Sequence, residues 1–295
     1  MNVYLYENWN LNRTKYDLIR EFCLCEKVDE EYFRSIIKRN IRRDRGVIKM
    51  GKVKVGRKKV LLSGAVILLL LILQKVLGIA GSAFADMFSF EKIDPYKAFA
   101  WNFVHHITML ILTLFVILIL KKLFSLNFGF GLGDSKTGTK FVAIYTPIIA
   151  GVSLVVHILM MVNNSLPVYA YPLNKSNIIG TLCFQLFLTG PAEELLYRAL
   201  PITTLVKVFG KNIEVKWGIT LESIIASFLF AFAHMKWSLF PFAIEMDYFQ
   251  FLYAFAQGII SGKAYQDSRS VIYPMLMHSI SNVLMVGTGY LFLLI

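Results

Sequence analysis

Residues 98–120 read AFAWNFVHHITMLILTLFVILIL, 23 residues with no Asp, Glu, Lys or Arg. A helix crosses the hydrocarbon core of a bilayer with about 20 mostly apolar residues. Two more windows are free of charge, 141–174 with 34 residues and 270–295 with 26. Weaker candidates surround these three. Residues 60–84 contain the run Val66 to Leu73 but also Lys75, which has to snorkel or pair. Residues 177–206 are apolar up to Ala192 and then meet Glu193, Glu194 and Arg198. Residues 217–235 contain Glu222, and 248–262 are short for a crossing. The pattern predicts an all-α polytopic membrane protein, about seven transmembrane helices bundled around an intramembrane polar cavity.

Composition agrees. The 295 residues are 56% hydrophobic and 17% charged, with a net charge of +12. Soluble domains average about 45–50% apolar and about 25% charged. A disordered chain would be polar. Three cysteines, Cys23, Cys25 and Cys183, exclude a disulfide framework. The charge is concentrated at the start: residues 1–59 hold 16 Lys/Arg and 8 Asp/Glu. The chain therefore divides into a basic cytosolic segment, 1–59, and a transmembrane domain, 60–295.

Residues 1–30 contain no signal-like apolar run, so the segment is expected to be retained. Thr14 to Arg43 reads as one or two helices, and 41–59 as a juxtamembrane cluster that orients the chain. Such a cluster touches anionic membrane lipid, worth about 1 kcal/mol per residue. No nucleic-acid module is present, so no nucleic-acid partner is expected. Cys23-x-Cys25 lacks the partners of a zinc site. Residues 125–139 read as a loop. Later loops carry nine Lys/Arg on the side of the N-terminus and four on the other. That predicts a multi-pass cell-membrane protein with a cytoplasmic N-terminus.

Ionisable groups inside spans are costly and mark functional sites by default. Here they are His105, His106, His157, Glu193, Glu194, Arg198, Glu222, His234 and His278, with Asn282 as a neutral companion. The densest group is Pro191-Ala-Glu-Glu-Leu-Leu-Tyr-Arg198. Gly190-Pro191 reads as a break, with Glu193 and Glu194 in the first turn of a new helix. Glu194 and Arg198 are four apart and can pair. Glu193 then has no obvious partner and suits a general base. Phe230 and His234 share a helical face, as do His278 and Asn282. Taken singly, each group has a structural alternative: a Glu-Arg staple, a core imidazole, or helix packing through His and Asn. Together they can form a water-activating site with oxyanion donors. Zinc held by Glu193, His234 and His278 is the weaker option, since no His-Glu-x-x-His motif occurs. His105, His106 and His157 read as core hydrogen-bonding residues, and Glu222 as solvated at the end of its span. These boundaries put Glu193 in the inner half of its span. They put His234 about 24 Å past Gly218, near the outer side.

These residues resemble the pattern of the CPBP intramembrane proteases, which include the type II CAAX prenyl endopeptidases. That pattern runs Glu-Glu-x-x-x-Arg, Phe-x-x-x-His, then His-x-x-x-Asn or a similar residue. It is matched in order by Glu193, Glu194 and Arg198, by Phe230 and His234, and by His278 and Asn282. The likeness covers roughly residues 60–295. Ala199 stands where Gly often follows the Arg. The resemblance implies a hydrolase: a glutamate-type protease that needs no metal or other cofactor and cleaves a membrane-associated protein or peptide. It implies that Glu193 activates water, His234 holds that water or the leaving amine, and His278 and Asn282 donate to the oxyanion. Arg198 would fix Glu194. The same fold also serves non-catalytic roles, such as bacteriocin immunity or regulation of a membrane sensor, and a Glu/His proton-coupled transporter is a third reading.

Overall fold

A computed structural model of the chain describes residues 57–239 and 242–295. Expectations for the N-terminal segment, including Thr14 to Arg43 and Cys23-x-Cys25, lie outside these residues. The described chain is the expected all-α bundle. Its rods are α1 (Arg57–Ala85), α2 (Ala100–Phe124), α3 (Ser135–Val162), a long helix over 175–209, α7 (Leu221–Ala233), α8 (Tyr248–Ser268) and α9 (Ile272–Leu294). Two short antiparallel hairpins complete it: β1 (Glu214–Lys216) with β2 (Ile219–Thr220), and β3 (Lys236–Leu239) with β4 (Phe242–Glu245). Among the described residues, α1, α2, α3 and α9 are long and apolar enough to cross a membrane.

Sequence chemistry sets the helix starts. The Asp94 carboxylate accepts from the backbone N–H groups of Ala98, Phe99 and Ala100 at 2.8, 2.7 and 2.8 Å, seating the start of α2. Asp134 caps α3, accepting from the Thr137 N–H and hydroxyl at 3.1 and 2.7 Å. These bonds hold the Asp134 carboxyl below its ordinary range. They also correct the loop expected over 125–139, because the polar residues from Ser135 onward form the first turn of α3. Thr220 and Asp247 cap α7 and α8 in the same way.

Leu70, Gln74 and Leu77 of α1 face inward, while Leu68, Leu69, Ile72 and Val76 face outward. Lipid is as apolar as those outer side chains, so close backbone approach has to supply helix association. Gly258 and Gly262 of α8 give that approach against Ser227 and Ser223 of α7. A Cβ at 258 would lie 2.8 Å from the Ser227 Cβ.

The expected break at Gly190-Pro191 is absent. Gly190 has φ −57° and ψ −53°, ordinary right-handed helix. The helix passes through α4 (Lys175–Phe184), a π-helical turn at Gln185–Thr189, α5 (Gly190–Glu194), a second π turn at Leu195–Ala199, and α6 (Leu200–Phe209). Widened turns let a helix absorb prolines when the freed carbonyls find other donors. Arg198 Nη1 donates at 3.1 Å to the carbonyl of Tyr197, four residues before Pro201. Leu200 N–H bonds back to Leu195, leaving the Leu196 carbonyl to accept from Gln74 Nε2 at 3.1 Å.

This continuity resolves the conflict in depth. Glu193 lies sixteen residues, about 24 Å, from the end of the helix at Phe209. His234 lies thirteen residues, about 20 Å, from the start of α7 at Leu221. The two rods run antiparallel from one end of the bundle, so both side chains reach the same height.

Candidate active site

The predicted polar residues converge on a cavity of about 490 Å³ lined by Glu193, His234, His278 and Asn282, and also by His106 and Gln185. Glu193 retains 16% side-chain exposure, whereas Glu194 and Arg198 retain none. Adjacent helical residues point about 100° apart. One carboxylate therefore faces the cavity and the next is packed into the protein.

Glu194 and Arg198 form the expected pair four residues apart, Nε to Oε2 at 3.4 Å. Arg198 also lies 4.1 Å over the centre of the Phe230 ring. A buried cation gains from an aromatic face as well as from its counter-ion. The same ring meets His234 edge-on, with centroids 4.6 Å apart, and His278, at 5.8 Å. Phe230 is thus the floor on which the charged residues are set, which gives the Phe-x-x-x-His spacing a physical reason.

His278 joins the two acids. Its Nδ1 lies 2.7 Å from Glu194 Oε1 and its Nε2 3.6 Å from Glu193 Oε2. With Nδ1 committed to the buried carboxylate, Nε2 is the nitrogen that reaches the cavity. Gly190 permits this crossing, because a Cβ there would run into the Met275 carbonyl and the Ser279 hydroxyl of α9. Asn282, one turn beyond His278, donates from Nδ2 to Gln185 Oε1 at 2.9 Å. His234 donates from Nδ1 to the Phe230 carbonyl at 2.9 Å, which leaves Nε2 as an acceptor facing the cavity.

Three sequence expectations are corrected. Glu193 is not without a partner: Oε1 lies 3.2 Å from His106 Nε2. His106 is therefore a site residue and not a core imidazole. Its other nitrogen lies 3.0 Å from the Asn102 carbonyl. Neighbouring His105 turns away, stacking on Trp101 with centroids 5.0 Å apart and approaching Ser82 at 3.3 Å. Adjacent helical residues point about 100° apart, so only one of the pair can face the cavity. Finally, Glu222 is fully buried, not solvated, and accepts from Gln266 Nε2 at 3.0 Å and the Ile213 N–H at 3.3 Å. It ties the α6–β1 connection to α8. His157 has the core role expected, with Nδ1 2.8 Å from the Ser153 carbonyl. Gln185 was not foreseen at all.

No group of three or more His, Cys, Asp or Glu side chains is arranged to hold a metal ion among the described residues. The zinc alternative through Glu193, His234 and His278 gains no geometric support.

Residues 175–284 match the family model described as type II CAAX prenyl endopeptidase Rce1-like. The matched stretch contains Glu193, Glu194, Arg198, Phe230, His234, His278 and Asn282. It supports a CPBP family intramembrane protease. Neither a curated protein nor a solved structure matches the chain.

Proposed function

We propose that this chain is an intramembrane protease of the CPBP family and that it hydrolyses a peptide bond in a membrane-associated protein or peptide with Glu193 as general base. The observation that carries the reading is the Glu194–His278–Glu193 arrangement at 2.7 and 3.6 Å, facing a cavity large enough for a peptide segment. Water in the cavity gives a proton to Glu193 Oε2, the oxygen not engaged by His106. The resulting hydroxide attacks the scissile carbonyl carbon. The oxyanion accepts from His278 Nε2–H and from the free Asn282 amide N–H, donors of a kind worth about 3–4 kcal/mol each elsewhere. Donation from Nε2 requires the His278 form protonated on both nitrogens. The C–N bond then breaks, and the amine takes the proton that Glu193 holds. His234 Nε2 accepts from the water or from the leaving amine.

His106 acts as a positioning residue. Its bond to Oε1 leaves Glu193 one oxygen for the water, and because Nδ1–H already donates to the Asn102 carbonyl, that bond requires the His106 form protonated on both nitrogens. Arg198, set over the Phe230 ring, pairs with Glu194, and Glu194 holds His278, so the catalytic groups rest on a buried support.

Orientation follows from charge. Lys58, Lys59, Lys121, Lys122, Lys207, Lys211, Lys216, Lys263 and Arg269 gather at one end of the rods. The other end carries Lys92, Lys97 and Lys175 together with Asp86, Glu91, Asp94 and Asp247. Read by the positive-inside rule, this distribution supports a cytoplasmic first end and, with it, a cytoplasmic N-terminus. Asn102, Asp247 and Gln250 line the cavity and belong to the second end. Substrate then enters from the non-cytoplasmic side.

Comparing the membrane peptidomes of cells carrying the wild type and Glu193→Gln tests the proposal. Cleavage products present only with the wild type are expected. Identical peptidomes would favour a non-catalytic membrane role for the same fold.

A further inference from the structure

A second cavity, of about 500 Å³, lies at the basic end between the C-terminal ends of α2, α6 and α8. Lys207 and Arg269 are the charged residues of its lining, Asn127, Asn212 and Gln266 are among its neutral polar ones, and Phe124 and Val206 are among its apolar walls. No Asp or Glu lines it. Of the nearby acids, Asp267 is paired with Lys263 at 2.8 Å, and Glu222, behind the lining, accepts from Gln266 Nε2 at 3.0 Å and from the Ile213 N–H at 3.3 Å. Two cations with no lining carboxylate make an anion site.

The backbone around Arg269 is held in place. Arg269 ends α8 in the left-handed region, φ 56° and ψ 31°, where glycine is the usual residue. Lys97, Ser125, Asn164 and Trp217 share this positive φ among the described residues, so the conformation fixes where Arg269 starts and the cavity lining shows where it leads. The turn rests on the 125–134 loop: Val271 N–H donates to the Gly129 carbonyl at 2.9 Å, and Asp134 N–H to the Ser268 carbonyl at 2.7 Å. Ser268 and Ser270 are buried beneath it.

We infer that this cavity binds the phosphate of an anionic membrane phospholipid. The Arg269 fork and the Lys207 ammonium match a phosphate. The carboxamides of Asn127 and Asn212 offer further donors. Phe124 and Val206 would meet the apolar part of an amphiphile, which free phosphate lacks. Basic pockets between transmembrane helices at the cytoplasmic boundary suit such headgroups. The assignment is independent of the protease reading.

The test is native mass spectrometry of the full chain released from nanodiscs of mixed phosphatidylglycerol and phosphatidylcholine. The wild type should retain phosphatidylglycerol selectively, and Lys207→Gln/Arg269→Gln should lose about thirtyfold of that preference. Arg269→Lys should keep most of it, which separates lost charge from a disturbed turn. Lys121→Gln/Lys122→Gln, at the same end but outside the cavity, should match the wild type. A second arm adds inorganic phosphate to the protein in phosphatidylcholine alone. No lipid preference in the wild type overturns the inference, as does equal loss in the Lys121/Lys122 control. So does phosphate binding without any phosphatidylglycerol retention.

Discussion

His106 of α2 and Glu193 of the long helix meet at 3.2 Å across 87 positions of sequence. With Nδ1 of His106 held by the Asn102 carbonyl, the imidazole cannot swing away from the carboxylate without breaking a second bond. Glu193 is thereby aimed, not merely buried. His106→Gln is predicted to lower kcat about ten- to a hundredfold with KM little changed, the pattern of a lost positioning contact. A pH–rate profile altered from the wild type would separate this from simple loss of packing. Unchanged kcat would remove His106 from the site.

The Glu194–Arg198 pair is a stability element. Glu194→Gln leaves Arg198 charged in a fully buried position. Removing one partner of a buried pair costs about 3–5 kcal/mol. Thermal unfolding in detergent should show a markedly lower midpoint than for Glu193→Gln, whose carboxylate is partly open to the cavity. Equal midpoints for the two variants would contradict this division of roles.

Gln74 gives a smaller and cleaner test. It supplies the donor for the Leu196 carbonyl at the second π turn. Gln74→Leu keeps the apolar face of α1 and removes a buried amide oxygen that has no partner, but leaves that carbonyl unsatisfied, for a net cost of about 1 kcal/mol. The loss should appear in equilibrium unfolding while the cavity residues stay in place.

Access can be read by chemistry. Gln250→Cys, at the cavity mouth, should react with a membrane-impermeant thiol reagent added outside intact cells. Lys122→Cys should react only after permeabilisation. The reverse pattern would invert the proposed orientation.

The rods were legible in sequence because a charge-free window of 20 or more residues leaves few alternatives to a membrane helix. Expected spans such as 98–120 and 270–295 fall on α2 and α9 within a few residues. Glu193, Glu194, Arg198, His234, His278 and Asn282 could be found because each motif repeats at one-turn spacing on its own helix. His106 could not, since its partner lies on another helix and an isolated imidazole carries no directional signal. The π turns were hidden for a related reason. Gly-Pro reads as a break unless the widened turns are known, and at the second of them the donors for the freed carbonyls came from Gln74 and Arg198. Glu222 looked solvated because its partners, Gln266 and the Ile213 N–H, lie outside its own helix.

The central claim rests on Glu193 as the residue that activates water. The most direct measurement is single-turnover cleavage of a peptide identified from the peptidome comparison, by purified wild type and Glu193→Gln in proteoliposomes, with matched unfolding midpoints. The account predicts a fall in rate of at least about a thousandfold for the variant, as expected for loss of a general base at a preorganised site. A folded Glu193→Gln that cleaves the peptide at the wild-type rate would contradict it.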